Sequence, residues 1–205
     1  MAFTRRMIPA LAVLALASLS QDANAAPPRP RGELDGGAYV QGSPGPVAVV
    51  IDEHKFARDA RWAWPWSIGA GRMFTWGPAF KAAIGATLEH RMMFFEDATA
   101  HNLHAFVESR IGAGNNRVWG YGLLGVGAAA TLVDWGTEED PLEDFYGVVM
   151  QFGGGLQAMV GRRFFLGGEL DFDVAYYFSA YDELRSWDSF YYQMVAFELS
   201  LGWYF

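Results

Sequence analysis

The residues best suited to chemistry are charged ones that recur at alternate positions. They are Lys81, Glu89 and Arg91, then His104, Glu108 and Arg110, then Glu169, Asp171 and Asp173, and finally Glu198. Paired carboxylates can divide acid and base work, and carboxylates with imidazoles can hold a metal. Each such possibility meets a geometric objection. His101-x-x-His104, with Glu108 further on, has the composition of a metal site. In an extended strand, however, positions three apart point to opposite faces. Metal ligands must converge, so the spacing predicts no metal site and no cofactor. Ser109 adjoins Glu108, and Ser179, Ser186 and Ser189 cluster later, but no His lies beside a Ser in sequence. Nucleophilic hydrolysis needs the two within hydrogen-bond reach, so no catalytic residue is assigned. The segment Asp134-Trp135-Gly136-Thr137-Glu138-Glu139-Asp140-Pro141 is strongly acidic. It could collect divalent cations, although a solvated loop accounts for it as well.

The elements that position these groups are strands. From Tyr191 the odd positions run Tyr191, Gln193, Val195, Phe197, Leu199, Leu201, Trp203, Phe205, and the even ones Tyr192, Met194, Ala196, Glu198, Ser200, Gly202, Tyr204. One face is apolar with aromatic ends and the other smaller and more polar, which is the period of a β-strand. The pattern recurs with Phe164 to Phe178 set against Glu169, Asp171 and Asp173, and with Tyr146 to Ala158 set against Gly and Gln. It recurs again with Leu103 to Ile111 against His104, Glu108 and Arg110, with Phe80 to Leu88 against Lys81 and Glu89, and with Trp62 to Ala70 against Ser67 and Gly69. Val118 to Val133 is a Gly-rich apolar strand whose facing the sequence leaves open. These are seven strands, and even-numbered closure of a barrel calls for an eighth. Pro46 to Lys55, with Val47, Val49 and Ile51, is the best candidate.

Ahead of the strands stands a leader. Arg5 and Arg6, an apolar run from Met7 to Leu19, and Ala23-Asn24-Ala25 form the three parts of a cleavable export signal, which places the mature start at Ala26. The run is too short for a spanning helix of ~20 residues. Residues 26–45, rich in Pro and Gly, read as a flexible lead-in, and 46–205 as the barrel domain. Loss of Arg5, Arg6 and Asp22 with the leader moves the formal charge from −8 to −9, which disfavours nucleic acid as a partner. The absence of cysteine excludes disulfides and thiolate metal sites. Aromatics at 16% and 24 glycines suit a membrane barrel, whose lipid face is apolar and whose rims are aromatic. Trp62, Trp64, Trp66, Trp119, Tyr121, Tyr176, Tyr177 and Trp203 are the expected girdle residues.

Connections also alternate. Thr75 to Pro78, Gly112 to Asn116 and Gly161-Arg162 are short, whereas Phe56 to Arg61, Glu96 to Ala100, Asp134 to Glu143 and Ser179 to Asp188 are longer or more polar. Short periplasmic turns and longer outside loops are a property of outer-membrane barrels. The expected fold is therefore an all-β, eight-stranded, antiparallel, up-and-down transmembrane β-barrel with both ends in the periplasm.

The chain resembles the small outer-membrane β-barrel proteins of the OmpA/OmpX-like type. The sharpest element is the last strand, where Val195, Phe197, Leu199, Leu201, Trp203 and Phe205 look like the C-terminal signal read by the barrel-assembly machinery. No periplasmic peptidoglycan-binding domain is expected after Phe205. The resemblance implies residence in the cell outer membrane as a monomer, with lipid and lipopolysaccharide as neighbours. It implies a structural or surface-interaction role, with a narrow porin-like channel or a lipid A-modifying enzyme as alternatives. In the preferred reading the ten charged residues form a network that fills the lumen, because eight-stranded barrels have interiors that side chains can fill.

Overall fold

The computed structural model describes residues 37–44, 47–53, 62–76, 79–94, 99–134, 143–160, 163–180 and 187–205. The expected leader and most of the acidic segment after Asp134 lie outside them. The described residues hold nine strands: β1 (Gly37–Pro44), β2 (Val47–Glu53), β3 (Trp62–Trp76), β4 (Phe80–Phe94), β5 (Thr99–Gly114), β6 (Val118–Asp134), β7 (Glu143–Met159), β8 (Phe164–Ala180) and β9 (Trp187–Tyr204). From β3 to β9 each strand pairs antiparallel with the next. β1 and β2 both lie between β9 and β3, and together they complete the ring. They are two parts of one stave, so the barrel has eight staves and no free edge.

The split stave corrects the expected start of the barrel. Among the described residues strand already runs from Gly37 to Pro44, ahead of residue 46, so the second half of the expected lead-in is strand. Pro44 ends β1 and Pro46 directly precedes β2. A proline donates no ladder hydrogen bond, so the break falls between them. Across it the register advances by one residue on both sides. Val40 pairs with Ala70 and Trp203, whereas Ala48 pairs with Ala63 and Ala196. A one-residue slip exchanges the faces of a strand. Odd-numbered Tyr39, Gln41 and Ser43 are buried in β1, while in β2 even-numbered Ala48 stands opposite the buried Ala63 and Ala196.

The facing of the last strand decides the in–out assignment, and it falls as the alternation requires. Phe197, Leu199, Leu201, Trp203 and Phe205 are exposed, while Ala196, Glu198, Ser200 and Tyr204 are buried. The open question at β6 is settled too. Leu124, Val126 and Leu132 face out, and Trp119, Tyr121, Leu123 and Ala129 face in. Around the wall the exposed residues form an apolar belt that includes Ile68, Ile84, Val107, Val148, Leu156 and Leu170. A soluble monomer rarely exposes such a continuous surface, whereas a lipid-facing wall requires one.

Aromatics bound this belt. Trp64, Trp66, Tyr146, Tyr176 and Phe178 mark one rim, and Phe74, Trp76, Phe80, Trp203 and Phe205 the other. Three expected girdle residues are misassigned, because Trp119, Tyr121 and Tyr177 are buried inside. Tyr176 and Tyr177 are adjacent in one strand, so only one of them can face lipid. The side chain of Trp62 lies outside those described.

At the end carrying both the start of β1 and the end of β9, the strands join across residues 77–79, 115–117 and 160–163. The second of these turns is held by the Asn115 side-chain oxygen, which accepts from the N–H groups of Arg117 (2.8 Å) and Val118 (2.9 Å). At the opposite end the gaps are 54–61, 95–98, 135–142 and 181–186. The gap at 95–98 is as short as that at 160–163, because β4 and β5 keep their pairing up to Phe94 and Thr99. The asymmetry between the two ends therefore rests on the other three connections.

Candidate functional site: the sealed polar lumen

The inward face of the barrel is layered. Toward the short-turn end, Tyr39, Met73, Ala83, Trp119, Tyr121, Phe165 and Tyr204 form an apolar plug. Toward the long-loop end, Met93, Phe106, Phe145, Val149, Tyr177 and Met194 pack with small alanines into a second. Between the plugs lies a polar layer that includes Glu89, Arg91, His104, Glu108, Arg110, Glu169, Asp171, Asp173 and Glu198, all buried. Lys81, the tenth expected lumen residue, is also buried, but its register opposite Thr75 and Gly112 puts it at the short-turn end. All ten residues that the strand period placed inward are buried. Depth along the barrel, which the period does not report, separates Lys81 from the rest.

Two arginines organise the layer. Arg91 ion-pairs with Glu89 and Asp173, and its third carboxylate partner, Asp171, is at 3.4 Å. Arg110 ion-pairs with Glu108 at 3.0 Å and Glu169 at 3.3 Å, donates to the Gln41 side-chain oxygen at 2.7 Å, and lies over the Tyr121 ring at 5.2 Å. The Tyr121 hydroxyl donates to Glu169 at 2.7 Å, tying the charges to the short-turn plug. Gln151 donates to Asp171 at 3.2 Å and Ser67 to Glu198 at 3.3 Å. Each guanidinium therefore has carboxylates on more than one side, which is the condition under which a buried charge can be sustained.

Between the two arginine clusters lies a cavity of about 20 Å³ lined by Glu89, Glu108, Arg110, Glu169, Glu198 and neutral polar side chains. That is room for about one or two waters. It is small, and a buried hydrophobic cluster lies toward each end of the barrel from it.

The plugs depend on close approach. Tyr39 on β1 reaches across β3 and β4, and a Cβ at Gly71 or Gly85 would lie 2.6 or 2.9 Å from its hydroxyl. Glycine at those two positions leaves room for the tyrosine, and a Cβ there would also meet strand backbone, the Ile84 carbonyl at 2.5 Å and the Ala70 carbonyl at 2.9 Å.

Among the described residues, one trio of possible metal ligands converges. Ligand atoms of Glu89, His104 and Asp173 lie within 4.8 Å of one another. The trio was not legible in the sequence, since its members come from β4, β5 and β8. Arg91, however, already supplies a cation to both carboxylates of the trio. His101 and His104 fall on opposite faces, as strand geometry requires, with His104 near Tyr177 in the lumen (3.3 Å) and His101 outside. Ser109 stands on the outer wall, where its hydroxyl donates to the Leu124 carbonyl at 3.4 Å.

Among solved structures, Neisserial surface protein A is similar over 82% of this chain and 97% of its own, with a TM-score of 0.56 and 12% identity. Ail, the attachment invasion locus protein of Yersinia pestis, solved in complex with the heparin analogue sucrose octasulfate, is similar over 84% of this chain and 100% of its own, with a TM-score of 0.51 and 17% identity. No protein-family model and no curated protein sequence matches the chain. The chain has the fold of the small eight-stranded outer-membrane β-barrels.

Proposed function

We propose that this protein is an integral outer-membrane barrel with a side-chain-filled lumen, acting as a structural or surface-interaction element and not as an enzyme. The observation that carries the reading is the side-chain-filled interior, a buried charge layer with an apolar cluster on either side of it. Residues 1–25 serve as the export signal, and Val195, Phe197, Leu199, Leu201, Trp203 and Phe205 as the insertion signal for the assembly machinery. The outward, lipid-facing placement of Phe197 to Phe205 supports that role. The loops beyond the long-loop rim are the natural surface for partners. The segment 134–141 carries Asp134, Glu138, Glu139 and Asp140 and no base. It suits a cationic partner, and it is a poor match for a sulfated polyanion like the one bound to Ail.

Planar-bilayer recording of the purified barrel tests the closed lumen. The expected trace shows no steady unit current. Regular unit steps would overturn the reading in favour of a narrow channel. Mass spectrometry of lipid A from cells with and without the protein tests the non-enzymatic part, and any change in acyl pattern would sink it.

A further inference from the structure

One polar cluster stands on the outer wall, where its surroundings are apolar. His90 on β4 and His101 on β5 lie diagonally across the ladder, with His90 opposite Leu103 and His101 opposite Met92. The His90 Nε2 and His101 Nδ1 atoms are 3.1 Å apart. The two rings stack with centroids at 5.4 Å and planes 26° apart, and Trp66 packs against His90 at 5.4 Å. Both imidazoles are half-buried.

We infer that His90 and His101 form a two-imidazole chelate for a borderline divalent transition ion such as Cu²⁺, Ni²⁺ or Zn²⁺ at the long-loop rim of the barrel. Geometry is the first reason. Imidazole nitrogens sit about 2.0–2.1 Å from such ions, so nitrogens 3.1 Å apart subtend about 98° at the metal. That lies between the cis angle of a square plane and the tetrahedral angle, the two arrangements these ions adopt.

Proton arrangement is the second reason. The nitrogens now share one hydrogen, and both must present lone pairs to a metal. The other nitrogen of His90, Nδ1, is buried and has no hydrogen-bond partner among the described residues. Nothing therefore locks the His90 ring in one tautomer. With hydrogen on His90 Nδ1 and His101 Nε2, both inner nitrogens are free to bind, both rings stay neutral, and no proton is released.

Access is the third reason. His101 is two residues from Thr99, where β5 begins, and His90 four from Phe94, where β4 ends, so they lie ~7 and ~13 Å along their strands from the long-loop end. Trp66, an exposed aromatic of that rim, packs against His90, which places the pair at the aromatic belt where lipid meets water, the source of the remaining ligands. The lumen trio differs, because Arg91 already stands against its carboxylates.

Titration of the purified full-length barrel in detergent micelles with CuCl₂, NiCl₂, ZnCl₂ and MgCl₂ tests the site, together with electron paramagnetic resonance of the Cu²⁺ form. One equivalent should bind, Cu²⁺ more tightly than Ni²⁺ or Zn²⁺, and Mg²⁺ not at all. His90→Ala and His101→Ala should each weaken Cu²⁺ binding at least tenfold and reduce the nitrogen hyperfine pattern from two imidazoles to one. His54→Ala should leave both readouts unchanged. His90→Gln and His101→Gln retain a polar side chain and give the same readouts should an alanine variant fail to fold. Unchanged affinity in either single variant, or a two-nitrogen signal in the H90A/H101A double variant, would overturn the assignment.

Discussion

Replacing Arg91 with methionine removes the cation at the centre of the lumen's acidic side while keeping much of the volume. Arg91 is fully buried and serves three carboxylates, Glu89, Asp173 and Asp171. At the 3.4 Å of the Asp171 contact and an effective dielectric constant of about 20, one such attraction is worth roughly 5 kcal/mol before desolvation is charged against it. Measured losses on breaking a buried pair are about 3–5 kcal/mol, because the surviving charge is stranded. Here three carboxylates are stranded together, so Arg91→Met should cost about 4 kcal/mol or more, about a thousandfold in the folding equilibrium. Urea titration of the barrel refolded into lipid vesicles, followed by tryptophan fluorescence, measures this. A compensated variant, E89Q/R91M/D171N/D173N, removes the stranded charges along with their partner. It should recover most of the loss, since a well-packed neutral replacement of a buried ion network is often tolerated. A loss below about 1 kcal/mol for Arg91→Met would show that the network does not hold the lumen together. A compensated variant as unstable as Arg91→Met would show that Arg91 acts by packing and not by charge.

Two further expectations concern the wall and the last residue. Val126, exposed at the middle of β6, should be costly to replace with arginine, by about 2–4 kcal/mol in vesicle-refolded barrels, whereas Val118→Arg at the rim should cost about 0–1 kcal/mol. Equal costs at the two depths would contradict a membrane-spanning wall. Phe205 is exposed, so Phe205→Ala should leave urea stability in vitro nearly unchanged yet reduce the fraction of heat-modifiable, folded barrel in cell envelopes. Parallel losses in both assays would mean that Phe205 stabilises the barrel instead of marking it for insertion.

The sequence disclosed the wall better than its contents. Alternation names a face, and every inward charge it named is buried, because a strand that turns one charge to lipid must turn them all. It failed where periodicity is silent or broken. In β6 glycines and alanines leave both faces small and apolar, so Trp119 and Tyr121 could be taken for girdle residues although they are core. In the first stave the slip between Pro44 and Pro46 exchanges odd for even, so no single period runs through it and Gly37–Pro44 passes for a lead-in. The signal for the first stave was Ala38-Tyr39-Val40 beside a glycine pair, a short strand fragment whose tyrosine joins the buried cluster at the short-turn end.

Period also says nothing of depth, and depth makes the lumen what it is. Arg91 meets Asp171 and Asp173 only because the ladders from β4 round to β8 bring residues eighty positions apart to one level. The same stagger carries Lys81, ten residues before Arg91 on the same face of the same strand, to the short-turn end. Tyr39 reaches its seat because glycines on two other staves stand at the level it needs. The layered interior is therefore a property of register around the ring, fixed by hairpin turns and by the register shifts within the first stave. A sequence that kept every alternation but moved the slip between Pro44 and Pro46 would still make a lipid-facing wall, and it would misplace the Tyr39 side chain within it.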